Sequence, residues 1–145
     1  MRSRVISGKI KIVVVDDEAD VLTYLATVLR NEGYRVDTAD NADRGWELME
    51  SEHPDLVCLD IMMPKKSGIS LYTQMKDSKE LRQTPVIIIS GVIQSGQFDF
   101  REYVSDESVR APEAYFEKPI EVRRFLQEVR VLTGRSQQHN SPRPS

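Results

Sequence analysis

The chain has 145 residues, 39% of them hydrophobic and 30% charged, with a net charge of −3. That is about one ordinary domain, long enough to bury a core without staples, and its mild acidity with interspersed signs gives no basic footprint for nucleic acid. No apolar run approaches the ~20 residues needed to span a bilayer, so no membrane partner is expected. The single Cys58 cannot form an internal disulfide. Inside an apolar run it reads as a small core side chain in a reducing compartment, which makes the cytoplasm the expected location. The opening MRSRVISGK lacks the apolar segment of an export signal.

Short β-branched runs alternate with longer amphipathic ones, the pattern of a parallel sheet flanked by helices. A first strand is expected over Ile10 to Val15, then a helix from about Ala19 to Glu32. Val21, Leu22, Leu25, Val28 and Leu29 form one stripe of that helix, and Gly33 sits at its stop. YRVDTAD alternates as a second strand. Asp40 or Asn41 can cap a second helix whose inner face would use Ala42, Trp46 and Met49. After Pro54, DLVCLD is apolar on both faces up to Asp60, as suits the middle of a covered sheet. A third helix should start near Ser67 with Leu71 and Met75 inward, VIIIS follows Pro85 as a fourth strand, and AYFE makes a short fifth. The last helix carries Val122, Phe125, Leu126, Val129 and Leu132 on one stripe, with Gly134 as its end. The tail RSQQHNSPRPS has no apolar side chain and is expected to be disordered or a linker stub. The expected division is therefore an N-terminal extension over 1–8, one domain over 9–134 and a tail over 135–145.

Polar residues cluster where the strands end: Asp16 and Asp17 after the first, Asp60 on the third, Ser90 on the fourth, Lys118 after the fifth. In an open α/β sheet, sites form outside the carboxyl ends of the strands, and right-handed crossovers bring such residues to one edge. Three carboxylates ask for a counter-charge, and a hard divalent cation together with Lys118 supplies it. Mg²⁺ suits such oxygen ligands and commonly bridges to a phosphate oxygen. A phosphoryl group there would find the Lys118 ammonium and the Ser90 hydroxyl, leaving a carboxylate as nucleophile. Taken singly, each motif has a plainer explanation. DDE before an amphipathic run is more often a solvated, dipole-favoured helix start, and that explanation is retained for Glu18 and Asp20.

From about Lys9 to Thr133 the sequence resembles the receiver domain of bacterial two-component response regulators, through VVVDDE, DLVCLDIMMPKKSG, VIIISG and AYFEKP in the family's order and at close to its spacings. The resemblance implies a flavodoxin-like, doubly wound sheet of five parallel strands in the order 2-1-3-4-5, with helices on both faces. It implies that Asp60 is the phosphoacceptor and Asp17 a direct Mg²⁺ ligand. Asp16 would help to bind the ion, partly through water, and Met62 would give its backbone carbonyl. Ser90 would be the switch hydroxyl and Tyr115 the aromatic switch residue. Lys118 would contact the phosphoryl group, with a cis bond to Pro119. The implied donor is a sensor histidine kinase or a phosphotransfer protein, the output a downstream protein target, and homodimerisation is compatible with both. After Thr133 only a short polar tail follows, so the expectation is a receiver that acts alone through contacts or one cut from a longer chain.

Two departures from the family pattern stand out. The interval from Ser90 to Lys118 is longer than usual and carries Gly91, Gly96, Asp99, Asp106 and Pro112, a poor composition for a continuous fourth helix. A short helical piece near Phe98 to Ser105 and an irregular run through Pro112 are expected instead. There Phe98, Phe100, Tyr103 and Val104 either form a modified readout face or simply cover the sheet. Met62 and Val92, at the two positions that tune loss of the phosphoryl group in the family, are both apolar, so a long-lived aspartyl phosphate is expected. Two other readings are weaker. A phosphohydrolase with an aspartyl nucleophile needs a general acid where Met62 stands, and a receiver that only binds a partner needs none of the pocket residues.

Overall fold

The computed structural model describes residues 9–61, 68–91, 100–104 and 106–134. Their order is β1 (Lys11–Val15), α1 (Ala19–Asn31), β2 (Arg35–Ala39), α2 (Ala42–Glu52), β3 (Leu56–Asp60), α3 (Gly68–Asp77), β4 (Val86–Ser90), α4 (Phe100–Tyr103), β5 (Ala114–Glu117) and α5 (Val122–Thr133). All strand pairs are parallel, and the sheet order is β2-β1-β3-β4-β5, the expected doubly wound topology.

The two-residue period of a strand sorts the core into two halves. Val13, Val15, Val57, Leu59, Val86 and Ile88 face α2 and α3, where Leu48, Met49, Leu71, Tyr72 and Met75 are buried. Ile12, Val14, Leu56, Cys58, Ile87 and Ile89 face α1 and α5, meeting Leu25, Leu29, Phe125 and Val129. Because helices cover both faces, β3 and β4 are buried at every residue, which is why they read as continuous apolar runs. Each fully buried Val, Leu or Ile contributes about 1.5–3 kcal/mol over exposure. A Leu59→Ala change in the middle layer would cost about 2–5 kcal/mol.

Helix ends follow local chemistry. Asn41 caps α2 by accepting from Arg44 N–H at 2.8 Å, and the helix closes on His53 in the left-handed region before Pro54. Gly33 at φ 95° and Gly134 at φ 78° follow the ends of α1 and α5. On α2 the buried residues are Ala42, Gly45, Leu48 and Met49, whereas Trp46 is half-buried at the margin. A Cβ at Gly45 would lie 2.9 Å from Val15 Cγ2, so the helix rests on β1 through its backbone.

Among the described residues the fourth-helix region is a single turn followed by an irregular course to Pro112. Arg101 ties this course together by donating to Asp106 O at 3.0 Å, which also accepts from Val109 N–H at 3.0 Å, and to Val109 O at 2.8 Å. Tyr72 ties the segment to α3: its ring meets Phe100 edge-on at 5.3 Å, and its hydroxyl donates to Arg110 O. Phe100 and Val104 are buried against α3, so these two cover the sheet. Phe98 and the side chain of Tyr103 lie outside the described residues, as do residues 1–8 and 135–145.

At the amino edge of the sheet, Lys11 N–H donates to Asp55 Oδ2 at 2.9 Å and Lys11 Nζ to the Glu52 carbonyl at 3.0 Å. Arg35 pairs with Glu52 Oε1 at 2.9 Å. Acids and bases balance there, and each is at least partly solvated.

Candidate functional site

The carboxyl edge is built by the ladder itself. Asp16 N–H donates to Ala39 O at 3.0 Å, which extends the β1–β2 pairing by one residue and turns the Asp16 side chain into the interior. Asp60 closes β3 opposite Ile89, and Ser90 closes β4 opposite Glu117. Lys118 N–H then donates to Ser90 O at 3.1 Å, which anchors the lysine at the same rim. Asp16, Asp60 and Ser90 are the buried polar residues among those described. The Lys118–Pro119 bond is cis.

Asp16, Asp17 and Asp60 each bring a carboxylate oxygen to within 4.8 Å of the others, with Asp17 facing solvent. Lys118 Nζ lies 2.9 Å from Asp16 Oδ2 and 3.5 Å from Asp60 Oδ2. Asp16 Oδ1 accepts from Glu18 N–H at 2.8 Å, but the buried Oδ2 receives no hydrogen bond of proper geometry among the described residues, only the ion pair. Burial raises the Asp16 pKa, offset in part by the Glu18 N–H and by Lys118. For Lys118, burial works against the ammonium, yet its close contacts to Glu18 and Asp16 and the charges of Asp16 and Asp60 hold its pKa above the lysine range.

Among the described residues the donor set is hard, made of oxygens and negative in excess, and one buried carboxylate oxygen is met only by the ion pair to Lys118. It fits a divalent cation such as Mg²⁺, and Asp16, Asp17 and Asp60 are the side chains that would hold it. Met62 and Val92 lie outside the described residues. Tyr115, on β5 opposite Ile88, is 37% exposed.

Two residues were not legible as part of this edge. Glu18, expected as a solvated helix start, accepts from Lys118 Nζ at 2.6 Å, whereas Asp20 is exposed as expected. The sequence signal available was a run of like charges, which cannot name a partner 100 positions away. Gly68 is the other. A Cβ there would lie 2.0 Å from Asp60 O and 2.7 Å from Ile61 Cα, so only glycine lets α3 begin against the end of β3.

Residues 12–130 match the family model of the response regulator receiver domain. The polar-differentiation response regulator DivK of Brucella ovis is 28% identical over 125 residues, covering 85% of this chain and 95% of that protein. A CheY-like receiver domain protein from Methanospirillum hungatei superposes with a TM-score of 0.75 at 23% identity, over 90% of this chain and 98% of that one. Chemotaxis protein CheY4 of Vibrio cholerae gives a TM-score of 0.73 at 18% identity, over 86% and 98%. With this sheet, this acidic rim and a family match across most of its length, the chain belongs to the response regulator receiver domain family.

Proposed function

We propose that this receiver, residues 9–134, is a cytoplasmic signalling switch that accepts a phosphoryl group on Asp60 from the phosphohistidine of a sensor histidine kinase or phosphotransfer protein. The observation that carries the proposal is the convergence of three carboxylates within 4.8 Å beside the Lys118 ammonium. An Asp60 oxygen attacks phosphorus in line, the P–N bond of the donor breaks, and the departing imidazole keeps the electron pair and takes up a proton. When bound, Mg²⁺ supplies positive charge to the phosphoryl oxygens and screens the carboxylates from one another.

The chain's own residues do the remaining work. Asp16, Asp17 and Asp60 would hold the cation, and the resemblance to the family would add the Met62 carbonyl, which lies outside the described residues. Lys118 and Ser90 receive the phosphoryl oxygens, in contacts absent from the resting protein. Those contacts bias a two-state element. Ser90 moving toward the phosphoryl group opens space into which the partly exposed Tyr115 turns, changing the face offered to a downstream protein. The apolar Met62 and Val92 orient no water, so the phosphoryl group is long-lived. The lone, buried Cys58 supports a reducing compartment, and among the described residues no helix is long and apolar enough to cross a membrane.

The test is incubation with a small phosphodonor and Mg²⁺ followed by intact mass. A single phosphoryl adduct is expected on the parent and none on Asp60→Asn. No adduct on the parent, or equal adducts on both, overturns the assignment.

A further inference from the structure

Lys118 has one acid more than the three-aspartate cluster supplies. Among the described residues its shortest contact is the hydrogen bond to Glu18 Oε1 at 2.6 Å, whereas Asp60 Oδ2 stands at 3.5 Å. Glu18 is the N-cap residue of α1, yet its carboxylate makes no capping bond, and its own N–H is satisfied by Asp16 Oδ1. The side chain is thus free of helix duty and engaged across the sheet edge. The Glu18 side chain is 60% exposed and that of Asp60 3%, so the ammonium lies between an outer and an inner carboxylate.

We propose that Glu18 is a positioning residue for Lys118: its carboxylate holds the ammonium at the mouth of the pocket and opposes its movement onto a phosphoryl group at Asp60. This rests on the reading of Asp60 as phosphoacceptor. An interaction shifts a two-state equilibrium by the difference in its strength between the states. The Glu18 bond is complete at rest and weakened when Lys118 turns inward, so it favours the resting state. One partner is well exposed, which keeps the bias small, and Glu18 tunes the switch without gating it.

The experiment compares the parent, Glu18→Gln, Asp20→Asn and Asp60→Asn. Asp20 is an exposed acid in the first turn of the same helix, and its variant removes the same charge without touching the Lys118 bond. Three quantities are measured: the side-chain NMR resonances of Lys118 without added ion, the affinity for Mg²⁺ alone, and the affinity for beryllofluoride at saturating Mg²⁺. Glu18→Gln is expected to shift the Lys118 resonances and to bind beryllofluoride about two- to five-fold tighter, the range open to a partly exposed ion pair. Its Mg²⁺ affinity should be equal or weaker, because the released ammonium leans on Asp16 and Asp60 and competes with the cation. A damaged fold would weaken both ligands, so tightening of one alone marks positioning.

Unshifted Lys118 resonances, an unchanged or weaker beryllofluoride affinity, or an equal gain in Asp20→Asn overturns the inference. Failure of the underlying reading looks different: the parent binds no beryllofluoride, or Asp60→Asn binds it equally well.

Discussion

The two edges of the sheet use the same chemistry to opposite ends. At the amino edge, Lys11 and Arg35 meet Glu52 and Asp55 in a balanced set, and each charge has a partner at 2.9–3.0 Å, side chain or backbone. At the carboxyl edge, among the described residues, Asp16, Glu18 and Asp60 meet one lysine with Asp17 beside them, two of the acids are buried, and Asp16 Oδ2 has only an ion pair. A balanced, solvated set holds structure. An unbalanced, buried one costs stability by itself and is relieved when positive charge arrives.

Cys58, midway along β3, sets the scale against which the edges are judged, because exposing it requires the sheet to come apart. Burial pushes its thiol up to about 12 from an ordinary 9.0. The native thiol stays neutral while the unfolded one ionises, so this stability is present below about pH 9 and is lost as pH rises toward 12. Lys118, also raised, acts in the same direction above the lysine range. Denaturant melts across the alkaline range should show a loss on the order of 4 kcal/mol from the thiol alone. A flat alkaline limb would mean that the native thiol ionises in its ordinary range and that burial does not hold it neutral.

The next effect separates the edges. Mg²⁺ at about 100 times its Kd should stabilise the parent by about 2.7 kcal/mol over chelator. Asp17→Asn should lose most of that gain, and Glu52→Gln should keep it. Equal protection of both variants would remove the carboxyl edge as the ion's place.

Neutralising one acid at each edge, without metal, should move stability in opposite directions. Asp60→Asn relieves repulsion among like charges and should raise the unfolding free energy by roughly 1 kcal/mol, the scale of one pKa unit. Glu52→Gln gives up the Arg35 pair and should lower it by about 0.2–1 kcal/mol. Denaturant melts in chelator decide between these signs. Two losses would put both edges in one class.

The strands and long helices were legible because period and burial agree: β3 and β4 are buried throughout and apolar up to their last residues, Asp60 and Ser90, and α1 and α5 each carry one stripe. What escaped depended on approach distance. Gly45 lies under α2 because Val15 leaves no room for a side chain, and this moves the inner face from Trp46 toward Leu48. Tyr72 gave no sign that its hydroxyl would reach Arg110, since the partner is a backbone carbonyl in a segment without periodicity. At the site, Asp16, Asp60, Ser90 and Lys118 were legible as strand-end residues. Glu18 was not, because capping explains an acid before a helix as well as a distant lysine does.

Gly68 places the first turn of α3 against the last carbonyl of β3, and Gly68 N–H donates to Ile61 O at 3.1 Å. Strand end and helix start are thereby one mechanical part. A displacement of the Asp60 main chain is therefore expected to reach α3 directly, since no side chain of Gly68 stands between them. A chimera that imports another helix at this place must import its glycine as well.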